Sequence, residues 1–272
     1  MTGFVLRVSR IAAYLVLTLP LMPVQALLLA LRSRYARVMP HAYHRLICRV
    51  FGIAIRQHGT PSPHRPTLFV ANHSSYLDIE ILGAAIQGSF IAKAEVSGWP
   101  MVGWLAKLQR TIFVRRADRA GAGRQRDELR RRLDEGDNLI LFPEGTSNDG
   151  LHLLPFKTTL FAAADDERVA VQPVSVTYQL LDGIPLGRFY RPFFAWYGDM
   201  SMAPHLWKAL GLGRLTVALQ YHEPVRLKDF ASRKALAEHC RREIAQGMAA
   251  SLAGRRNDAA AEPRAVQALA AQ

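Results

Sequence analysis

His73 and Asp78 close the stretch "FVANHSSYLD" at residues 69–78. An imidazole titrates near neutrality. A carboxylate on its Nδ1 proton fixes the tautomer, leaves Nε2 as a base and stabilises the imidazolium once formed. This is the base half of a catalytic triad, with the nucleophilic hydroxyl supplied by a substrate. Ser74 and Ser75 lie between the two. They are nucleophiles on paper, but they also suit the N-cap of a following helix, and the cap is the better reading. By itself the pair also fits a surface contact or a capping cluster.

Two further clusters strengthen the chemical reading. "FPEGTSNDG" at 142–150 puts Glu144, Gly145 and Thr146 just past an apolar run. A sharp turn there presents backbone N–H groups and a carboxylate to a polar substrate part. "TIFVRR" at 111–116 ends in Arg115 and Arg116, a cation pair suited to a phosphate or a carboxylate. All three clusters end strand-like runs, where α/β sheets place their sites.

The elements that must position these residues can be read from pattern. Strands are expected at 67–70, 89–95, 111–116, 138–146, 169–178 and 215–225. Helices are expected at 76–86, 98–108, 124–135 and 232–252, with Gly136 as a C-terminal cap. Strands alternating with helices predict an α/β domain. "FYRPFFAWYGDM" at 189–200 is dense in aromatics, which fits packing or the wall of an acyl channel.

Upstream, Ile11–Leu31 is an uncharged and mostly apolar run of 21 residues, flanked by Arg7 and Arg10 before and Arg32, Arg34 and Arg37 after. A membrane span needs about 20 such residues. Pro20 and Pro23 sit inside it and predict a kink or a break. A single span and a bent hairpin within one leaflet both satisfy this pattern. Residues 34–50 mix arginine with apolar residues and predict an amphipathic helix on a headgroup layer. The expected organisation is therefore membrane-anchoring and interfacial helices at 1–58, a catalytic domain at 59–253 and a disordered tail at 254–272.

Charge agrees with an anionic partner. Net charge is +13, and residues 1–77 hold nine arginines and no acid. "RQRDELRRRLDE" at 124–135 is interleaved with acids and has no aromatic platform. It fits a face turned to anionic lipid better than a nucleic-acid site. The two cysteines, Cys48 and Cys240, match no metal spacing.

Four blocks in order resemble the glycerophospholipid acyltransferase family, the lysophosphatidic acid acyltransferases. N-H-x4-D matches Asn72, His73 and Asp78. The F-I-x-R strand end matches Phe113 to Arg116. F-P-E-G-T matches Phe142 to Thr146, and a V-P-V-like strand matches Val171 to Val174. The resemblance implies a mixed sheet flanked by helices, behind a membrane-anchoring N-terminal segment. It implies transfer of an acyl group from acyl-CoA or acyl-carrier protein to a lysolipid hydroxyl, with His73 and Asp78 as the catalytic pair. Asn72, Arg115, Arg116, Glu144, Gly145 and Thr146 fall at its acceptor-binding positions. It implies no metal and no organic cofactor. With an apolar anchor at 11–31 and two cysteines that form no disulfide framework, the expected location is the cytoplasmic membrane, with the catalytic domain facing the cytoplasm.

One departure bears on the acceptor. Phosphatidate-forming members continue E-G-T with arginine, whereas Ser147, Asn148 and Asp149 follow here. The first acceptor implied is 1-acyl-sn-glycerol-3-phosphate. The alternative is lyso-ornithine lipid, an aminolipid without phosphate, whose basic headgroup suits Asp149. A non-enzymatic lipid-binding protein of the same fold is a third reading, against which the intact His73–Asp78 pair argues.

Overall fold

The computed structural model describes residues 2–114 and 122–254. Arg115 and Arg116 lie outside the described residues, as does the expected disordered tail beyond Gly254.

Helix α1 (Thr2–Ala30) runs unbroken through Pro20 and Pro23. The expected break does not occur, nor does a hairpin. Apolar helix formers surround both prolines, and the helix lies along the rest of the fold for most of its length. Arg10 donates to the carbonyls of Leu210 at 3.0 Å and Leu212 at 2.7 Å. Gln25 donates to those of Ala36 and Leu108, each at 2.9 Å. By length and composition α1 is able to cross a membrane.

A 3-10 turn at Arg34–Arg37 leads into α2 (Met39–Phe51), which Gly52 ends in a left-handed cap at φ 72°. The expected helix at 34–50 is thus present from Met39. Its apolar face packs inward. Ile47, Cys48 and Phe51 are buried in the main core, and Arg45 and Arg49 point outward.

Strands β1 (Ile53–His58) and β2 (Thr67–Ala71) precede α3 (Leu77–Ala85) and β3 (Ser89–Lys93). Then come α4 (Val102–Leu108), β4 (Ile112–Val114), α5 (Ala122–Asp134) and β5 (Leu139–Leu141). The long β6 (Ala170–Leu181) is followed by β7 (Ile184–Pro185), α6 (Met202–Leu210), β8 (Leu215–Tyr221) and α7 (Arg233–Leu252). The sheet order is β1-β8-β6-β2-β5-β3-β4, with β7 paired to the end of β6. Neighbours are parallel except β6 with β8 and β6 with β7. The expected mixed α/β sheet is therefore present. Its edge strand β1 lies upstream of residue 59.

Each face of the sheet has its own core. Phe69, Ala71, Ile140, Val174 and Val176 pack with Ile47, Phe51, Ile81 and Leu82 from α2 and α3. Leu68, Val70, Leu139 and Val171 pack with Leu236 and Ile244 of α7 and with Phe161. Alternation along each strand produces the division, because successive side chains point to opposite faces. Strands β2, β3, β4 and β5 are parallel, so their C-terminal ends share one edge, and the His73 and Glu144 loops leave from it.

Candidate active site

β2 ends at Ala71, and the chain turns through "NHSSY" into α3. Asp78 sits in the first turn of α3 and is fully buried. Its Oδ2 accepts from His73 Nδ1 at 2.9 Å and from the backbone N–H groups of Ser74 at 2.6 Å and Ser75 at 2.9 Å. Its Oδ1 accepts the Tyr178 hydroxyl at 2.7 Å. A buried carboxylate needs such donors, and with four of them it holds one position. Burial pushes the Tyr178 phenol well above its ordinary range, so it stays a donor.

With Nδ1 given to Asp78, His73 presents Nε2. The imidazole is 17% exposed and stacks on Phe142, centroids 4.0 Å apart and planes 18° from parallel. Phe142 opens the 142–146 motif, so the motif's first residue forms the floor under the imidazole. Ser74 and Ser75 are buried, and the Ser75 hydroxyl accepts the Leu77 N–H at 3.3 Å. The N-cap position of α3 falls on Tyr76 and has no side-chain cap bond, so neither serine is the N-cap expected from sequence; the Ser75 hydroxyl braces the turn just before it.

The 142–150 turn is bonded to the His73 loop. Glu144 Oε1 accepts the His73 backbone N–H at 2.8 Å, and the His73 carbonyl accepts the Asn148 N–H at 3.0 Å. Glu144 Oε2 accepts the Leu154 N–H at 2.8 Å and the Asn148 side-chain amide. Burial pushes the Glu144 carboxyl above the ordinary glutamate range, and the three donors pull the other way. Gly145 holds φ 70°, a left-handed conformation that favours glycine. Thr146 is exposed beside it. The Asp149 carboxylate receives the N–H groups of Leu151 at 2.9 Å and His152 at 3.1 Å and the His152 imidazole at 2.9 Å. Burial alone would raise it, but these donors outweigh burial and hold it below the ordinary aspartate range.

Sequence reasoning placed His73, Asp78, Glu144, Gly145 and Thr146 together, and the fold brings them together. Asn72 belongs to the scaffold of the same site. It is buried, its amide donates to the Val176 carbonyl at 2.9 Å and its oxygen accepts the Val176 N–H at 2.8 Å, tying the end of β2 to β6. Tyr178 was missed as a partner of Asp78. No local spacing reveals a contact across 100 residues; the one available signal is the period of two that puts it on the face of Val174 and Val176.

Relatives fit this geometry. A lyso-ornithine lipid O-acyltransferase of Brucella abortus is 42% identical over 252 residues, which cover 90% of this chain and 94% of that protein. The chain belongs to the acyltransferase family. The acyltransferase family model matches residues 54–177, the span that holds all four blocks. A 1-acyl-sn-glycerol-3-phosphate acyltransferase of Neisseria gonorrhoeae is 34% identical over 165 residues, covering 60% of this acyltransferase and 62% of the relative. The crystal structure of the 1-acyl-sn-glycerophosphate acyltransferase PlsC from Thermotoga maritima superposes with a TM-score of 0.59 at 26% identity, covering 79% of each chain.

An apolar cavity of about 240 Å³ lies between α1, α2, α3 and α4, and Tyr76 and Phe90 are among its lining residues. Phe90 stacks on Phe142 at 6.0 Å, so the Phe90, Phe142 and His73 rings form a series from the cavity to His73. The aromatic segment 189–200 does not line it. That segment packs against the His73 loop instead: the backbone N–H of Trp196 donates to the Ser74 carbonyl at 2.8 Å, and the Trp196 ring meets Tyr76 edge-on at 5.9 Å. Among the described residues no group of three His, Cys, Asp or Glu side chains could hold a metal ion.

Proposed function

We propose that this acyltransferase moves a fatty acyl group from an acyl thioester to the hydroxyl of lyso-ornithine lipid. The observation that carries this acceptor is the 147–150 turn. Asp149, held ionised, follows Ser147 at the place where an arginine suits a phosphate, and the turn is bonded to the His73 loop. An ornithine headgroup offers an ammonium to Asp149 and a carboxylate to Arg115 or Arg116. Relatives named lyso-ornithine lipid O-acyltransferase match the chain at 42% identity over 252 residues and 39% over 250. Those named for 1-acyl-sn-glycerol-3-phosphate match fewer residues, at 34%. This reverses the order of acceptors expected from sequence.

The chemistry follows from the His73–Asp78 geometry. His73 Nε2 removes the proton from the acceptor hydroxyl as the oxygen attacks the thioester carbonyl. The Asp78 carboxylate stabilises the imidazolium. The tetrahedral intermediate expels the thiolate, which takes the proton back from Nε2, and an ester remains. Glu144 shapes the loop through the His73 N–H, so its part is positioning. The apolar cavity takes an acyl chain. The donor is acyl-CoA or acyl-carrier protein, and no metal or organic cofactor enters the scheme.

In this reading the protein sits at the cytoplasmic membrane with its domain facing the cytoplasm; what α1 supports is attachment to a membrane. One of its faces carries Tyr14, Thr18 and Gln25 against the domain, while Val16, Leu19 and Leu27 on the others are exposed. A helix so divided packs on the domain along one face and leaves its apolar remainder for lipid.

The test is acylation by membranes bearing the chain, with lyso-ornithine lipid and lysophosphatidic acid offered separately and His73→Ala alongside. Ester formation from the first lipid, lost in the variant, is expected. Product from lysophosphatidic acid alone would overturn the acceptor.

A further inference from the structure

Between Ile11 and Leu31 the side chains able to hydrogen-bond are Tyr14, Thr18 and Gln25. All three line the apolar cavity, and Thr18 and Gln25 are buried. Polar residues in an otherwise apolar membrane-associated segment are costly and mark function when they face inward. Thr18 has a partner, the Tyr43 hydroxyl at 2.8 Å. Gln25 is only half satisfied. Its Nε2 donates to two carbonyls, which fixes the amide's orientation, and its Oε1 is buried with no partner. Its contact at Leu108 is next in sequence to Gln109, whose Nε2 is also buried without a partner and which also lines the cavity. One end of the cavity therefore sets an unused acceptor and an unused donor among apolar walls.

That end is remote from the base. Gln109 precedes β4, and β4 is parallel to β3, which is parallel to β5. Residues before β4 lie at the sheet edge opposite the His73 loop. A chain entering past Tyr76 and Phe90 thus approaches Gln25 and Gln109 with its far end. A methyl group there leaves both amide atoms unpaired, and each such buried group is unfavourable. A hydroxyl is both donor and acceptor and satisfies both.

We propose that Gln25 and Gln109 form a hydroxyl-binding subsite for a fatty acyl chain carrying oxygen near its far end. This rests on the reading of the cavity as an acyl site. Water could supply the same oxygen beneath a plain chain, and the test separates the two sources.

The first measurement is equilibrium displacement of a fluorescent fatty acid from the detergent-solubilised full chain by plain and terminally hydroxylated fatty acids of matched length. The second is transfer from the corresponding acyl thioesters to each lysolipid. At the length that reaches the amide pair, the hydroxylated chain is expected to bind and react roughly tenfold or more better. In Gln25→Leu and in Gln109→Leu, tested separately in case one fails to fold, the ratio falls to about one. A wild-type ratio of one or less at every length means water alone occupies the pair and overturns the subsite. A ratio that both variants leave unchanged overturns it too. Absence of transfer to lyso-ornithine lipid, with hydroxyl-selective binding intact, counts against the proposed reaction and leaves the subsite standing.

Discussion

The backbone N–H of His73 donates to the Glu144 carboxylate across 2.8 Å. Two motifs separated by some 70 residues are thereby one structure: the acid of the second holds the loop that carries His73. The other Glu144 oxygen accepts from Leu154 and Asn148, so all three of its donors are the protein's own.

Glu144→Gln tests this arrangement. However the new amide is turned, its NH2 group faces at least one N–H donor in a buried place. The expected loss of stability is about 1–3 kcal/mol, read by denaturant unfolding, with a fall in kcat larger than any change in acceptor KM. Unchanged stability would show that Glu144 is not the clasp of the loop.

Asp78 allows charge and geometry to be separated. Asp78→Asn can keep an oxygen on the His73, Ser74 and Ser75 donors while removing the charge that steadies the imidazolium. Turnover should fall roughly a thousandfold or more with the fold retained by circular dichroism. Tyr178→Phe removes one donor from the buried Oδ1 and should cost about 1–3 kcal/mol of stability with a smaller fall in rate. Activity of the asparagine variant within tenfold of wild type would contradict the general-base mechanism.

What could be read from sequence was local. The His73–Asp78 spacing, the strand running into Glu144, the Gly136 cap (φ 71°) and the start of α7 near residue 232 all lie within a few residues of their signals. What could not be read depends on distant partners. β1 went unread because "IAIRQH" is half polar and becomes a strand by pairing with β8, 162 positions on, Ile53 beside Leu215. α2 has the amphipathic pattern of a membrane-surface helix, and the same pattern serves a helix packed on α3. Pro20 and Pro23 predict a kink or a break, and a helix supported along its length is not broken there. Asn72 has the character of a ligand-binding amide until β6 takes both ends of it.

The aromatic segment is tied to the catalytic loop by a group sensitive to pH. The Tyr76 hydroxyl donates to His205 Nδ1 at 2.9 Å, while His205 Nε2 lies 3.1 Å from the carbonyls of Pro192 and Ala195. Burial lowers His205 below the ordinary imidazole value, against the pull of the two carbonyls. A histidine depressed in the folded state stabilises the fold above its unfolded value, about 6.5. That contribution is lost as pH falls through the lower folded value. Unfolding followed from pH 8 downward should therefore show a loss below about 6.5 that is smaller in His205→Gln. Identical pH profiles for both proteins would remove His205 from the account.

The acceptor can be tested from the protein's side as well as the lipid's. Asp149 is 32% exposed and near the base, because its neighbour Asn148 is bonded to the His73 loop. Asp149→Asn keeps the side chain's size and an oxygen for the Leu151 and His152 N–H groups. It removes the charge proposed to meet the ornithine ammonium. Exposed charge pairs are weak and close, partly desolvated ones stronger, so the expected rise in KM for lyso-ornithine lipid is roughly three- to thirtyfold. Ser147→Arg with Asp149→Asn supplies a guanidinium where a phosphate would sit and should raise kcat/KM for lysophosphatidic acid relative to the wild type. Both changes lie outside the His73–Asp78 pair, so the two acceptors should shift in opposite directions. A parallel fall for both lipids would mean that the turn supports the catalytic loop without reading the headgroup. Discrimination would then have to come from the arginines after β4.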